Sequence, residues 1–361
     1  MIKPLILAFA LAWLGLPAVA NESLRFPATN EDGPPPRSLT IHGALDLPYV
    51  EPVLEDFHRR YPDIELHYRN FTTLALHQHF LDDEQEKADV MISSAMPWQY
   101  RLANDGHAQP LETPAASAWP SWARWRQELF GLTFEPIVIV YRHELAEQFG
   151  AVASHAELLS LLERRYKELR NRVVTYDPAR SGAGYTYAIE EARLSPRYWD
   201  LIAALGRADA ALVGTTGEML EGLAEGRYWL GYNLLGSYAR DFVEEHPQLE
   251  MVIPSDYALV TQRLAFIPRK APHPESARLF LDYLLSEAGQ RVIGERTSLG
   301  TVHPSLEGPG TAGEMRTRLG DALRPIRLGP GLLATLDDLK REALLSRWQR
   351  EFQRWSAIPF P

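Results

Sequence analysis

From Ser38 onward, extended and helical hydrophobic periods alternate at short intervals, and this limits the fold more than any other feature of the chain. In SLTIHGAL (38–45), Leu39 and Ile41 alternate as on a strand. Val50, Val53, Leu54, Phe57 and Tyr61 then recur at helical spacing until Pro62. IELHYRNF (64–71) reads as a second strand, a polar helix spans roughly 72–86, and ADVMISSA (88–95) reads as a third strand. The result is a βαβαβ series, which buries both faces of a mainly parallel sheet beneath helices. A second series follows, with GLTFEPIVIVY (131–141) extended, a helix near 155–170 and RVVTYDP (172–178) extended. SGAGY (181–185) then opens a helix that runs through Ala192. Further helices are expected near 198–205 and 216–225, and strands at 228–235 and 249–255.

Two long apolar runs, one near 131–141 and ALVTQRLAFIP at 258–268, bracket the middle of the chain. Strands that cross twice between lobes form a hinge, because a few residues absorb a rigid rotation; otherwise the two are ordinary central strands. The hinge reading gives one lobe from 38–133 plus 265–361 and a second from 134–264, with the C-terminal helices packing across both. Leu345, Trp348, Phe352 and Trp355 repeat at three and four and give the last helix an apolar face. Residues 21–37, NESLRFPATNEDGPPPR, read as a disordered polar leader.

The compartment follows from residues 1–20. Lys3, the apolar run LILAFALAWLGL and the small residues AVA have the order of a signal peptide, so an exported mature chain starting near Asn21 is expected. There is no cysteine, which removes disulfides, thiolate metal sites and a lipid-anchored cysteine. A net charge of −10 and a pI near 5.6 speak against nucleic acid or another polyanion as partner.

In open α/β sheets, ligands sit beyond the carboxyl ends of the strands. That rule selects His42, Gly43 and Ala44 after the first strand, Ser93 and Ser94 after the third, Ser181, Gly182, Ala183, Gly184 and Tyr185 at the glycine-broken helix start, and Tyr232, Asn233 and Tyr238 around 228–238. Amide groups at a helix N-terminus carry positive potential and bond anions. A small anionic solute cradled at 182–184 is therefore expected, with a guanidinium from Arg180, Arg240 or Arg263; a plain structural cap is the alternative. No catalytic spacing emerges. HELAE (143–147) has Glu147 where a zinc-peptidase helix needs histidine, HQH (77–79) sends its two imidazoles to different sides of a helix, and Ser181 lacks the flanking glycines of a nucleophile elbow. Neither an enzyme nor a cofactor is expected.

Six stretches in order, VLEDFHRRYPDIEL (53–66), ADVMISSA, GLTFEPIVIVYR (131–142), DPARSGAGY (177–185), LGYNLLGSYAR (230–240) and PSDYALVTQRLAFIPRKAPHPESARLFLDYLLSEAGQ (254–290), resemble the type 2 periplasmic solute-binding proteins of ABC transporters, in the ferric-iron and sugar-phosphate branch. The resemblance implies two α/β lobes joined by two crossing strands. It also implies a monomer that closes on a small phosphorylated compound or carboxylate and delivers it to a membrane ABC permease. It leaves two alternatives open. One is a ferric-ion protein using His42, Asp46, Tyr232 and Tyr238, although the paired tyrosines of ferric members are here separated by five residues. The other is a sensor subunit that reports to a membrane histidine kinase, as in phosphoglycerate transport regulatory proteins.

Overall fold

The structure is a computed structural model that describes residues 22–29, 35–82 and 86–355. The expected signal peptide lies outside the described residues. Two sheets divide the chain into two lobes. In lobe 1 the strand order is Ser23–Phe26, Ile64–Asn70, Arg37–Gly43, Val90–Ser93, Leu264–Pro268, Leu129–Gly131 and Arg124–Trp125. Arg37–Gly43 pairs in parallel with both Ile64–Asn70 and Val90–Ser93, as the βαβαβ reading requires. In lobe 2 the order is Ala211–Val213, Val173–Tyr176, Leu230–Leu235, Glu135–Arg142, Ala258–Thr261 and Leu323–Pro325.

Both sheets are mixed rather than mainly parallel. Leu264–Pro268 enters sheet 1 from the other lobe and runs antiparallel to Val90–Ser93, and Glu135–Arg142 runs antiparallel to Leu230–Leu235. Each long apolar run is accordingly two strands. Leu129–Gly131 belongs to lobe 1 and Glu135–Arg142 to lobe 2, with residues 132–134 between them. Ala258–Thr261 belongs to lobe 2 and Leu264–Pro268 to lobe 1, with Gln262 and Arg263 between them. The chain thus crosses twice at adjacent places.

The leader is not disordered where it is described. Ser23–Phe26 pairs antiparallel with Ile64–Asn70, from Ser23 opposite Arg69 to Phe26 opposite Leu66. Leu24 and Phe26 pack on the core, so a short alternating segment covers an otherwise open sheet edge.

The C-terminal segment straddles the lobes. Leu323–Pro325 extends sheet 2 beside Ala258–Thr261, while the helix Gly331–Thr335 packs on the lobe 1 helix Met96–Asn104. The last helix, Asp338–Phe352, lies on Tyr198–Arg207 of lobe 2, where the Trp348 indole N–H donates to the Tyr198 hydroxyl at 3.2 Å. Gly206 permits that docking, since a Cβ there would overlap the Phe352 carbonyl. Trp355, on the expected apolar face, is left 38% exposed, with Arg207 over its ring.

Candidate functional site

The two crossings meet at a buried ion pair. Arg263 is 1% exposed and Glu135 is fully buried. Arg263 Nε lies 3.0 Å from Glu135 Oε1, and Nη1 donates to the Ala44 carbonyl of lobe 1 at 2.7 Å. The Thr133 hydroxyl donates to Glu135 Oε1 at 2.7 Å, and the Ser237 hydroxyl donates to Oε2. Burial alone would lower the guanidinium's pKa, but the facing Glu135 carboxylate outweighs it and the net shift is upward. One charged side chain thereby ties a lobe 2 strand, a crossing segment and a lobe 1 loop together.

Phenols surround this pair. The guanidinium carbon lies 5.1 Å from the centroid of the Tyr238 ring, and that ring stacks face to face on Tyr49 of lobe 1 at 4.0 Å. The Asp46 backbone N–H donates to the Tyr238 hydroxyl at 3.0 Å, which bridges the lobes. Tyr68 donates to the Leu45 carbonyl at 2.5 Å. The Tyr176 hydroxyl shares a 2.6 Å hydrogen bond with Thr216 Oγ1, and the Tyr187 ring lies 5.9 Å from that of Tyr176. Burial pushes the phenols of Tyr68, Tyr176, Tyr187 and Tyr238 up, so all four stay neutral near pH 7.

The second contact between lobes is the glycine-broken helix start. Ser181 caps the helix Gly182–Leu194 by accepting from the Gly184 N–H at 3.2 Å. The Gly182 N–H crosses the interface to Thr73 Oγ1 at 3.1 Å. A Cβ at Gly182 would lie 3.1 Å from Ala95 Cβ and from Thr73 Oγ1, and 3.2 Å from Leu74 Cδ2, so any side chain here would push the facing lobe 1 side chains back by at least a few tenths of an ångström. In the arrangement shown, side-chain hydroxyls thus take the Gly182 and Gly184 amides expected for an anion. Tyr185, one turn in, meets Trp98 of lobe 1 edge to face at 5.4 Å and donates to the Thr335 carbonyl.

Of the other expected residues, Ala44 reaches the site through its carbonyl, and Gly43 leaves room for the Tyr68 hydroxyl. Ser93 Oγ accepts from the Ala95 N–H at 3.2 Å, and Ser94 is buried beside it. Three residues do not join the site. The His42 ring points away, 5.3 Å from Phe71 and 4.9 Å from His79, because on Arg37–Gly43 it alternates with the residues that face the other layer. Tyr232 shares the Ile139 side of sheet 2 and donates to Glu191, whereas Leu234 and Tyr238 pack on the opposite side. Asn233 also turns to Glu191, at 3.1 Å, from a bulge at φ 68°. His42, Asp46, Tyr232 and Tyr238 therefore do not converge as ferric ligands.

Among the three arginines considered, Arg263 enters the site and Arg180 is exposed. Glu135, Tyr49, Tyr68, Tyr176 and Thr73 escaped the sequence reading. A signal for Glu135 was present, since it is the one charged residue in GLTFEPIVIVY.

Behind the site, the helix that starts at Gly182 is anchored by a triad in which His155 and Glu191 are buried and Asp256 lies at the surface. His155 Nδ1 lies 2.9 Å from Asp256 Oδ1 and Nε2 lies 3.3 Å from Glu191 Oε1, with Tyr257 stacked on the ring at 3.9 Å. Burial alone would lower the His155 pKa, but its bonds to Asp256 and Glu191 raise it to about 9. Because the folded value lies above the ordinary 6.5, the stabilisation is complete below about pH 6.5 and is lost as pH rises through about 9. Urea unfolding should show stability falling by roughly 2–3 kcal/mol between pH 6 and pH 9.5. His155→Gln should remove most of that slope while leaving the pH 9.5 value nearly unchanged.

The profile of the bacterial extracellular solute-binding proteins matches residues 47–296. Among solved structures, the substrate-binding protein of an ABC transporter from Agrobacterium tumefaciens is similar at 35% identity and a TM-score of 0.88, covering 92% of this chain and 98% of that one. The fold also matches AfuA from Actinobacillus pleuropneumoniae with fructose-6-phosphate bound, at 16% identity and a TM-score of 0.70, covering 88% and 98%. Iron-bound HitA from Pseudomonas aeruginosa matches at 18% identity and a TM-score of 0.68, covering 88% and 99%. No curated protein matches in sequence. With two lobes, a double crossing and a profile match over most of its length, the chain belongs to the bacterial extracellular solute-binding proteins, the type 2 periplasmic binding proteins of ABC transporters.

Proposed function

We propose that the protein captures a small anionic solute, a phosphorylated compound or a carboxylate, between its lobes in the periplasm and hands it as a monomer to an ABC-type importer. The observation that carries this reading is the meeting of a helix N-terminus with Arg263 and the neutral phenols on one interlobe face. Arg263 donates one Nη1 N–H to the Ala44 carbonyl and one Nη2 N–H to Glu135, with Nε in ion-pair contact with the same carboxylate, which leaves one N–H on each terminal nitrogen for an incoming oxygen. The Gly182 N–H and the Tyr238 hydroxyl, bonded across the interface in this arrangement, become further donors for a solute that enters while the lobes are open. Ser94, Ser181, Ala183 and Tyr185 remain the neighbouring contacts in this proposal. Solute binding then selects the closed arrangement by its preference for that state.

Titration calorimetry with D-fructose 6-phosphate, inorganic phosphate, citrate, thiamin and ferric ion tests the reading. A phosphate or carboxylate compound should bind, and Ser181→Ala with Tyr238→Phe should weaken it at least about tenfold, the cost of one charge-assisted hydrogen bond. Saturation by thiamin or ferric ion alone would overturn the anion assignment.

A further inference from the structure

Lobe 1 contains a second cavity, remote from the lobe interface, between the helix Thr73–Leu81 and the end of the strand Leu264–Pro268. Its volume is about 330 Å³, and His42, His79, Phe80, Ala88 and Pro268 form its inner wall. That volume is at the small end of ligand pockets. His42 is 1% exposed, and its Nε2 has no hydrogen-bond partner among the described residues; the same holds for His79 Nε2. Burial pushes the His42 imidazole down to about 3, so it is neutral at any physiological pH. A buried imidazole nitrogen without a partner typically costs about 1–3 kcal/mol. Nothing at the lobe interface uses either ring.

Glu86 and Asp105 lie at the rim, but Glu86 pairs with Arg69 at 2.9 Å and Asp105 with Arg101 at 3.6 Å. Lys87, Arg269 and Lys270 also line it; Lys87 Nζ donates to the Asp82 carbonyl, and Arg269 is exposed. From the exposed Arg269 the cavity runs over flat aromatic and proline surfaces to an imidazole nitrogen without a partner among the described residues.

We propose that this cavity is a second binding site for a single-ring aromatic acid carrying a hydroxyl group. The ring packs on Phe80 and Pro268, the hydroxyl bonds His42 Nε2, and the carboxylate faces Arg269 at the mouth. The site is separate from the interlobe cleft, so each can be filled without the other.

4-Hydroxybenzoate is the probe, followed by calorimetry and by the imidazole signals of the histidines in NMR. Saturable binding of one equivalent is expected, with shifts at His42 and His79. Benzoate, which lacks the hydroxyl, should bind more weakly. His42→Leu and Arg269→Glu should each reduce affinity at least about tenfold, while Ser181→Ala with Tyr238→Phe leaves it unchanged. Arg269 is on the surface, so its variant serves if His42→Leu folds poorly. Three results would overturn the proposal: no saturation at millimolar probe, saturation indifferent to Arg269→Glu, or binding lost in the cleft variant. Only the first two leave the interlobe proposal untouched.

Discussion

Arg263→Ala is expected to lower the unfolding free energy by about 3–5 kcal/mol, because it leaves the Glu135 carboxylate buried without its countercharge. The Thr133 and Ser237 hydroxyls would still donate to Glu135, so the carboxylate would keep hydrogen bonds but lose charge compensation. The same change removes the only side-chain bond from this crossing to the Ala44 carbonyl, and the lobes should lose their fixed relation at that point. Removing both charges, in Arg263→Met with Glu135→Leu, should recover much of the stability, since the pair's worth lies in mutual compensation. Urea titration of the parent and the two variants checks this. A single variant as stable as the parent would mean that the crossing does not depend on the pair.

Gly182→Val is expected to hold the lobes apart and to weaken solute binding by about 100-fold, equivalent to roughly 2.7 kcal/mol against the closed state. The branched side chain would be driven into Ala95, Thr73 and Leu74 of the facing lobe, all already within 3.2 Å of a simple Cβ. Ser181 would still cap its helix, so the secondary structure and the lobe 2 core should be intact. Small-angle scattering of the solute-bound forms separates the outcomes, with a larger radius of gyration for the valine variant. Gly182→Ala, whose contacts need give by only a few tenths of an ångström, should have a much smaller effect.

Periodicity made the lobes legible. Alternation in SLTIHGAL and helical spacing from Val50 to Tyr61 give the strand Arg37–Gly43 and the helix Leu47–Arg60, and SGAG marks the start of the helix at Gly182. The breaks in the crossing strands were harder to see. Leu132 and Phe134 continue an apolar run, and only Gln262 and Arg263 interrupt the second one. Sheet direction was missed because local pattern carries no information on which lobe a crossing strand joins. The strand Ser23–Phe26 was hidden by its polar setting, since its stability comes from pairing with Ile64–Asn70 rather than from propensity. The site was legible only in part. The backbone positions at Ala44 and Gly182 follow from strand ends, but the face chosen by Tyr232 depends on the bulge at Asn233, which no spacing rule reveals.

The absence of cysteine allows a direct test of the closing motion, because two introduced thiols can be labelled without background. Gln78 of lobe 1 and Ala179 of lobe 2 are both exposed, one on the helix after Thr73 and the other just before Ser181. With spin labels at Gln78→Cys and Ala179→Cys, pulsed electron resonance measures the lobe separation before and after adding the compound that saturates in calorimetry. The bound protein should show one short, narrow distance, and the unbound protein should include a longer population. Identical distributions with and without bound compound would contradict the claim that this protein works by closing two lobes on its solute.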